Sequence, residues 1–150
     1  MKPFLYAVAA IFAFILLFRI VPNWRYNRDH AGQLSSDMSR LLAMNNVTWG
    51  EAHAHMVGTS GIGVCDYPFP DTEYPRFTRA LHMMPVTSPQ DVKCETDVCD
   101  DWKRGTQMQV YRTAPNTTIP LENNNAFTSL WTFRRVSDGM TTIQVQYQNP

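Results

Sequence analysis

The residues whose types could do chemistry sit in the middle of the chain: Cys65, Cys94 and Cys99, His53, His55 and His82, and the acids from Asp91 to Asp101. Four residues separate Cys94 from Cys99, too wide for the redox Cys-x-x-Cys motif, so a structural disulfide is the expected use of these thiols. Either Cys94 and Cys99 close a short loop, which sequence proximity favours, or Cys65 pairs with one of them and staples the chain between. His53 and His55 invite a metal reading. On a helix starting at Thr48 they would point about 200° apart and could not share an ion. Glu51 and His55 would share a face, but two ligands need a third, from His82 or a cysteine. No bound metal and no cofactor are therefore expected, with His53, His55 and His82 as the residues to watch.

The acids between Asp91 and Asp101 lack the spacing of an EF-hand loop and read as a solvated segment. Gly58, Gly61 and Gly63 are not followed by Gly-Lys-Ser/Thr, and no Gly-x-Ser-x-Gly elbow occurs. Non-catalytic chemistry is the expectation. The stretch from Tyr67 to Pro89 carries five prolines with aromatic residues between them. Long irregular segments in small domains tend to bind something, so Tyr67, Phe69, Tyr74, Arg76, Phe77 and Arg79 are the candidate partner-binding loop.

These residues need elements to hold them. Between Phe4 and Val21 only Arg19 is not apolar. Those 18 positions would span roughly 27 Å as a helix, enough for a bilayer core. Arg19 lies where its stem could follow the hydrocarbon, and Trp24 and Tyr26 follow as an interfacial pair. No small-x-small cleavage site follows the run, so residues 1–22 are expected to be a retained transmembrane signal-anchor with lipid contact through 4–21. Arg19, Arg25 and Arg28 after the run favour a cytoplasmic domain by the positive-inside rule. The uncleaved export-signal pattern and the three cysteines favour an extracytoplasmic one, and that side is taken.

Residues 23–58 are expected to be a juxtamembrane helical region. Ala31, Leu34, Met38, Leu41 and Leu42 form one stripe of an amphipathic helix over Asn27–Met44. Thr48 and Glu51 have capping-box spacing for a second helix, with Gly58 as its stop. Residues 59–150 are expected to be loop-rich and then β. Gln107–Thr113, Ala126–Val136 and Met140–Gln148 are rich in β-branched and aromatic residues. The last two flank Ser137-Asp138-Gly139. A three-residue loop with a left-handed Gly139 would pair Phe133 with Ile143 and Trp131 with Val145, collecting the apolar residues on one face.

The expected fold class is α+β: one N-terminal transmembrane helix, two amphipathic helices, an irregular disulfide-stapled middle and a small antiparallel sheet with a C-terminal hairpin. Formal charge is zero, with 13 basic and 13 acidic residues, which gives no pull toward nucleic acid. The expected role is a single-pass, membrane-anchored accessory or assembly subunit that works by protein–protein contact with a membrane or envelope partner. A tethered enzyme or metal-binding module using the histidines and thiols is the alternative.

Overall fold

The computed structural model describes residues 2–47, 53–57, 62–89, 96–121 and 126–147. Helix α1 (Lys2–Ile15), a π-helical stretch (Leu16–Ile20) and α2 (Val21–Met44) follow one another directly. Ile15 and Val21, at the joins, keep right-handed helical dihedrals. Pro22 lies in the first turn of α2, directly after the π-helical stretch, and having no N–H it removes one bond from the ladder there.

The expected transmembrane helix is corrected here. Among the described residues no helix is long and apolar enough to cross a membrane. The apolar run is divided: α1 has 14 residues, a rise of roughly 21 Å, and the remainder enters the π-helical stretch. The longer helix, α2, begins with Asn23, Arg25, Arg28 and Asp29 among its early residues. The same finding goes against the expected single-pass protein, on which the extracytoplasmic placement rested.

The C-terminal half of α2 buries the expected stripe. Leu34, Met38, Leu41 and Leu42 are all buried in the main core, with Ala31 packed at its margin. Asn46 ends the helix in the left-handed region, at φ 53°. The Val47 amide then donates to Leu42 O and the Asn46 amide to Ala43 O, a Schellman closure that brings buried Val47 back onto Leu42.

Seven strands form one antiparallel sheet among the described residues: β1 (His53–Val57), β2 (Ile62–Pro68), β3 (Met84–Pro85), β4 (Met108–Arg112), β5 (Ile119–Pro120), β6 (Ala126–Arg135) and β7 (Met140–Tyr147). Their order is β1-β2-β7-β6-β4-β3, with β5 also paired to β6. The predicted second helix is corrected, because His53–Val57 pairs with Ile62–Asp66 as a strand; Thr48 and Glu51 lie outside the described residues. Two short helices that periodicity did not resolve, α3 (Glu73–Ala80) and α4 (Asp97–Lys103), complete the fold.

Strand β6 is covered on both faces. Leu130 and, across a bulge between Phe127 and Ser129, Phe127 pack on the α2 side with Ile143 and Val145. Phe133 and Trp131 face the other way, against Val98, Cys99 and Trp102 of α4. This explains why the hairpin register differs by one residue from the expected one: Thr132 pairs with Ile143, Phe133 with Thr142 and Leu130 with Val145. The expectation assumed one wet face, which would force all apolar residues to one side. Here Thr132 can lie on the inner face because its hydroxyl meets the Tyr74 hydroxyl at 3.0 Å.

The turn between β6 and β7 holds Gly139 at φ 67°, with its amide donating to Arg135 O. A Cβ at Gly139 would stand 3.0 Å from Arg134 Nη2. Gly139→Val is therefore expected to cost roughly 1 kcal/mol or more, from left-handed strain plus this contact. Urea unfolding midpoints check it; equal midpoints would contradict the turn.

Asp37 on α2 is buried and accepts a hydrogen bond from the Tyr147 hydroxyl at 3.4 Å. Burial raises its pKa above the ordinary 3.8, with Arg40 and the Tyr147 bond opposing. A raised carboxyl pKa contributes stability that is fully present below the unfolded value and lost as pH rises through the folded value. The stability of the parent relative to Asp37→Asn should therefore fall as pH rises from about 4. Denaturation midpoints of both proteins across pH 4–7 test the sign; a rising difference would contradict it.

Candidate functional site

The residues singled out by sequence are not gathered at one place. Cys65 is a free thiol on β2, fully buried in the α2-side core. Cys99 belongs to the cluster on the opposite face. The sheet stands between them, and Cys65 is in no disulfide, so the expected disulfide-stapled middle is corrected as far as it ran through a Cys65 bridge. Cys99 is disulfide-bonded; its bond and Cys94 lie outside the described residues, where the short-loop expectation falls. Burial, with Asp66 adding to it, pushes the Cys65 thiol up to about 12. At pH 8 it should react with Ellman's reagent roughly a thousandfold more slowly than an exposed thiol. In denaturant it should react at once, and rapid native labelling would contradict the placement.

His53 and His55 fall on β1, so the helical spacing that separated them does not apply; their side chains lie outside the described residues. Strand β1 is one edge of the sheet and β3 the other, roughly 24 Å away at 4.8 Å per strand. His82 is beside β3. It occupies the left-handed closing position of α3, at φ 49°, where its amide donates to Arg79 O and the Met83 amide to Thr78 O. Its place is explained by helix termination. Among the described residues no cluster of three or more His, Cys, Asp and Glu side chains could hold a metal ion. The expected acidic segment supplies Asp97 and Asp100 to the first turn of α4, where carboxylates favour the helix dipole; Asp91 and Glu95 lie outside the described residues.

The proposed partner loop is divided between interior and surface. Phe69, Tyr74 and Phe77 are buried together, with Phe69 and Phe77 rings 5.3 Å apart and Phe69 and Tyr74 rings 5.9 Å apart. Helical spacing turns Tyr74, Phe77 and Thr78 to the sheet, and leaves Arg76 and Arg79 exposed. The Tyr67 side chain lies outside the described residues.

What these aromatics support is a cleft of about 580 Å³ between the Pro68–Asp71 connection and the β6–β7 turn. Arg134 lines it. Sequence reasoning missed this residue because an arginine inside a β-run reads as a solvent-facing alternation. Its neighbours show the opposite. Arg134 is 7% exposed. Nη1 donates to Phe69 O at 2.8 Å and to Thr141 Oγ1 at 3.4 Å. Nη2 pairs with Asp71 Oδ1, and the guanidinium lies 5.1 Å from the centre of the Tyr74 ring. The Tyr74 hydroxyl is bound to Thr132 Oγ1 and donates to Gln109 O at 3.3 Å. Burial is the main cause raising its pKa to about 12, so it stays neutral beneath the cation. This arrangement can hold an anion; it contains no nucleophile paired with a base.

Comparison with protein-family models, curated proteins and solved structures gave no match to this chain.

Proposed function

We propose that the chain is a non-catalytic accessory or assembly subunit that acts through protein–protein contacts at a lipid surface. The observation that carries this is the stem formed by α1 and the π-helical stretch. Phe4 is 74% exposed, Tyr6 75%, Phe12 64% and Phe18 67%. These residues belong to neither core cluster. Soluble proteins rarely leave so large a contiguous apolar surface bare. The exposure runs around the helix instead of along one stripe, and a single partner helix would cover one stripe only. Lipid covers every side. Arg19 and Trp24 follow the apolar run, and the Arg28 guanidinium sits 5.0 Å over the Trp24 ring, a cationic and aromatic group suited to headgroups. Burial of the stem in lipid is what this role requires, not a full crossing.

The folded part supplies the contact surface. The test is extraction of the full chain from its native membranes in mild detergent after crosslinking. A defined complex with another protein in fixed ratio is expected. A chain that runs as a lone monomer both before and after crosslinking would overturn the accessory role.

A further inference from the structure

We propose that the cleft at Arg134 binds a monocarboxylate with an apolar body, and that Asp71 is a built-in occupant which the ligand displaces. The argument begins with an asymmetry. The Arg134 side chain is 8% exposed, whereas that of its ion-pair partner Asp71 is 96% exposed. A buried guanidinium needs a carboxylate, because an uncompensated buried charge is costly. A partner that stays in solvent can leave without uncovering any packed surface. Phe69 O, Thr141 Oγ1 and the Tyr74 ring hold the guanidinium plane. Nη2 is thereby left toward the Asp71 side.

The surroundings define the ligand. Gly139 keeps the approach open, since a Cβ there would stand 3.0 Å from Nη2. Pro68, Pro70 and Val136 supply the apolar part of a lining that is otherwise mostly polar. Asp138 also lines it, with Oδ1 accepting the Met140 amide at 2.9 Å. That fixed negative charge disfavours dianions and phosphates. Arg135, also in the lining, is drawn toward Asp101 at 3.6 Å, so a single cation faces a single carboxylate. A guanidinium–carboxylate pair of this kind is strong and directional, and the volume suits a small ligand or one or two terminal residues of a chain. Such a carboxylate could come from a free acid or from the C-terminus of a partner chain. The proposal does not depend on the stem.

The test uses the full chain in detergent and its Asp71→Asn variant, which alters an exposed side chain. Isobutyrate, the peptide acetyl-Ala-Val with a free C-terminus, and the same peptide as its amide are titrated by calorimetry. The free acid, the free peptide or both should bind, the amide should not, and Asp71→Asn should tighten binding by about fivefold. Binding of isobutyrate alone identifies a small-acid site, and binding of the peptide acid alone a chain-terminus site. Arg134→Gln, if folded by circular dichroism, should lose binding. Binding of the amide as tightly as the peptide acid, or no binding of either acid to Asp71→Asn, would overturn the proposal.

Discussion

Truncating Leu34 to alanine is expected to lower stability by about 2–5 kcal/mol, Gly63→Ala is expected to lower it independently, and the double variant should cost less than the sum. Leu34 is fully buried where α2 crosses the sheet. A Cβ at Gly63 would lie 2.6 Å from Leu34 Cδ2, 3.0 Å from Cδ1 and 3.2 Å from Val145 Cγ2. The helix approaches β2 so closely because position 63 has no side chain, and the leucine fills that space. Adding a methyl forces the leucine out of its packed position, an overpacking cost of about 1–3 kcal/mol. Removing Leu34 leaves a cavity that the new methyl partly fills. The two changes must therefore couple, by about 0.5 kcal/mol or more. Urea unfolding of the four proteins in detergent measures it. Additive effects would mean that α2 does not rest on Gly63.

Phe133→Ala should cost about 3–5 kcal/mol, an effect that a sheet covered only on its α2 side would not show in this register. Phe133 is buried on the α4 side, with the Trp102 ring centre at 6.1 Å and the Trp131 ring at 6.2 Å. With Val98, Cys99 and Val110 it makes the second core cluster. Its loss should also change near-ultraviolet dichroism, because two tryptophans lose a ring neighbour. A variant with parental stability and spectrum would place Phe133 at the surface and contradict the core cluster on the α4 side.

The parts of the fold legible in the sequence were those with a strong local period. The stripe from Leu34 to Leu42 is buried, and β4, β6 and β7 lie within a few residues of the expected runs. The left-handed Gly139 also followed from local turn chemistry. What failed depended on partners distant in sequence. Capping-box spacing at Thr48 argued for a helix, yet His53–Val57 gains a full ladder from β2, and tertiary pairing outweighs a local cap. The hairpin register depended on whether α4 covers the outer face of β6, which no period reveals. Arg134 was invisible for the same reason: only the fold brings Phe69 O, Asp71 and Thr141 to it. The aromatic and proline-rich stretch looked like a docking loop because its apolar content had no period, but the short helix α3 turns Tyr74 and Phe77 inward. The apolar run at Phe4–Phe18 was plain in sequence; its division between α1 and the π-helical stretch was not.

The central claim is that the stem holds the folded part at lipid, and vesicle flotation tests it most directly. The full chain and a variant carrying Leu5→Lys, Phe12→Lys and Leu17→Lys are mixed from detergent with phosphatidylcholine–phosphatidylglycerol vesicles and centrifuged through a density gradient. Leu5, Phe12 and Leu17 are exposed and outside both core clusters, so the variant should keep the parental unfolding midpoint. The parent should rise with the vesicles and the variant should stay below. A parent that remains at the bottom, or a lysine variant that floats equally well, would contradict the account.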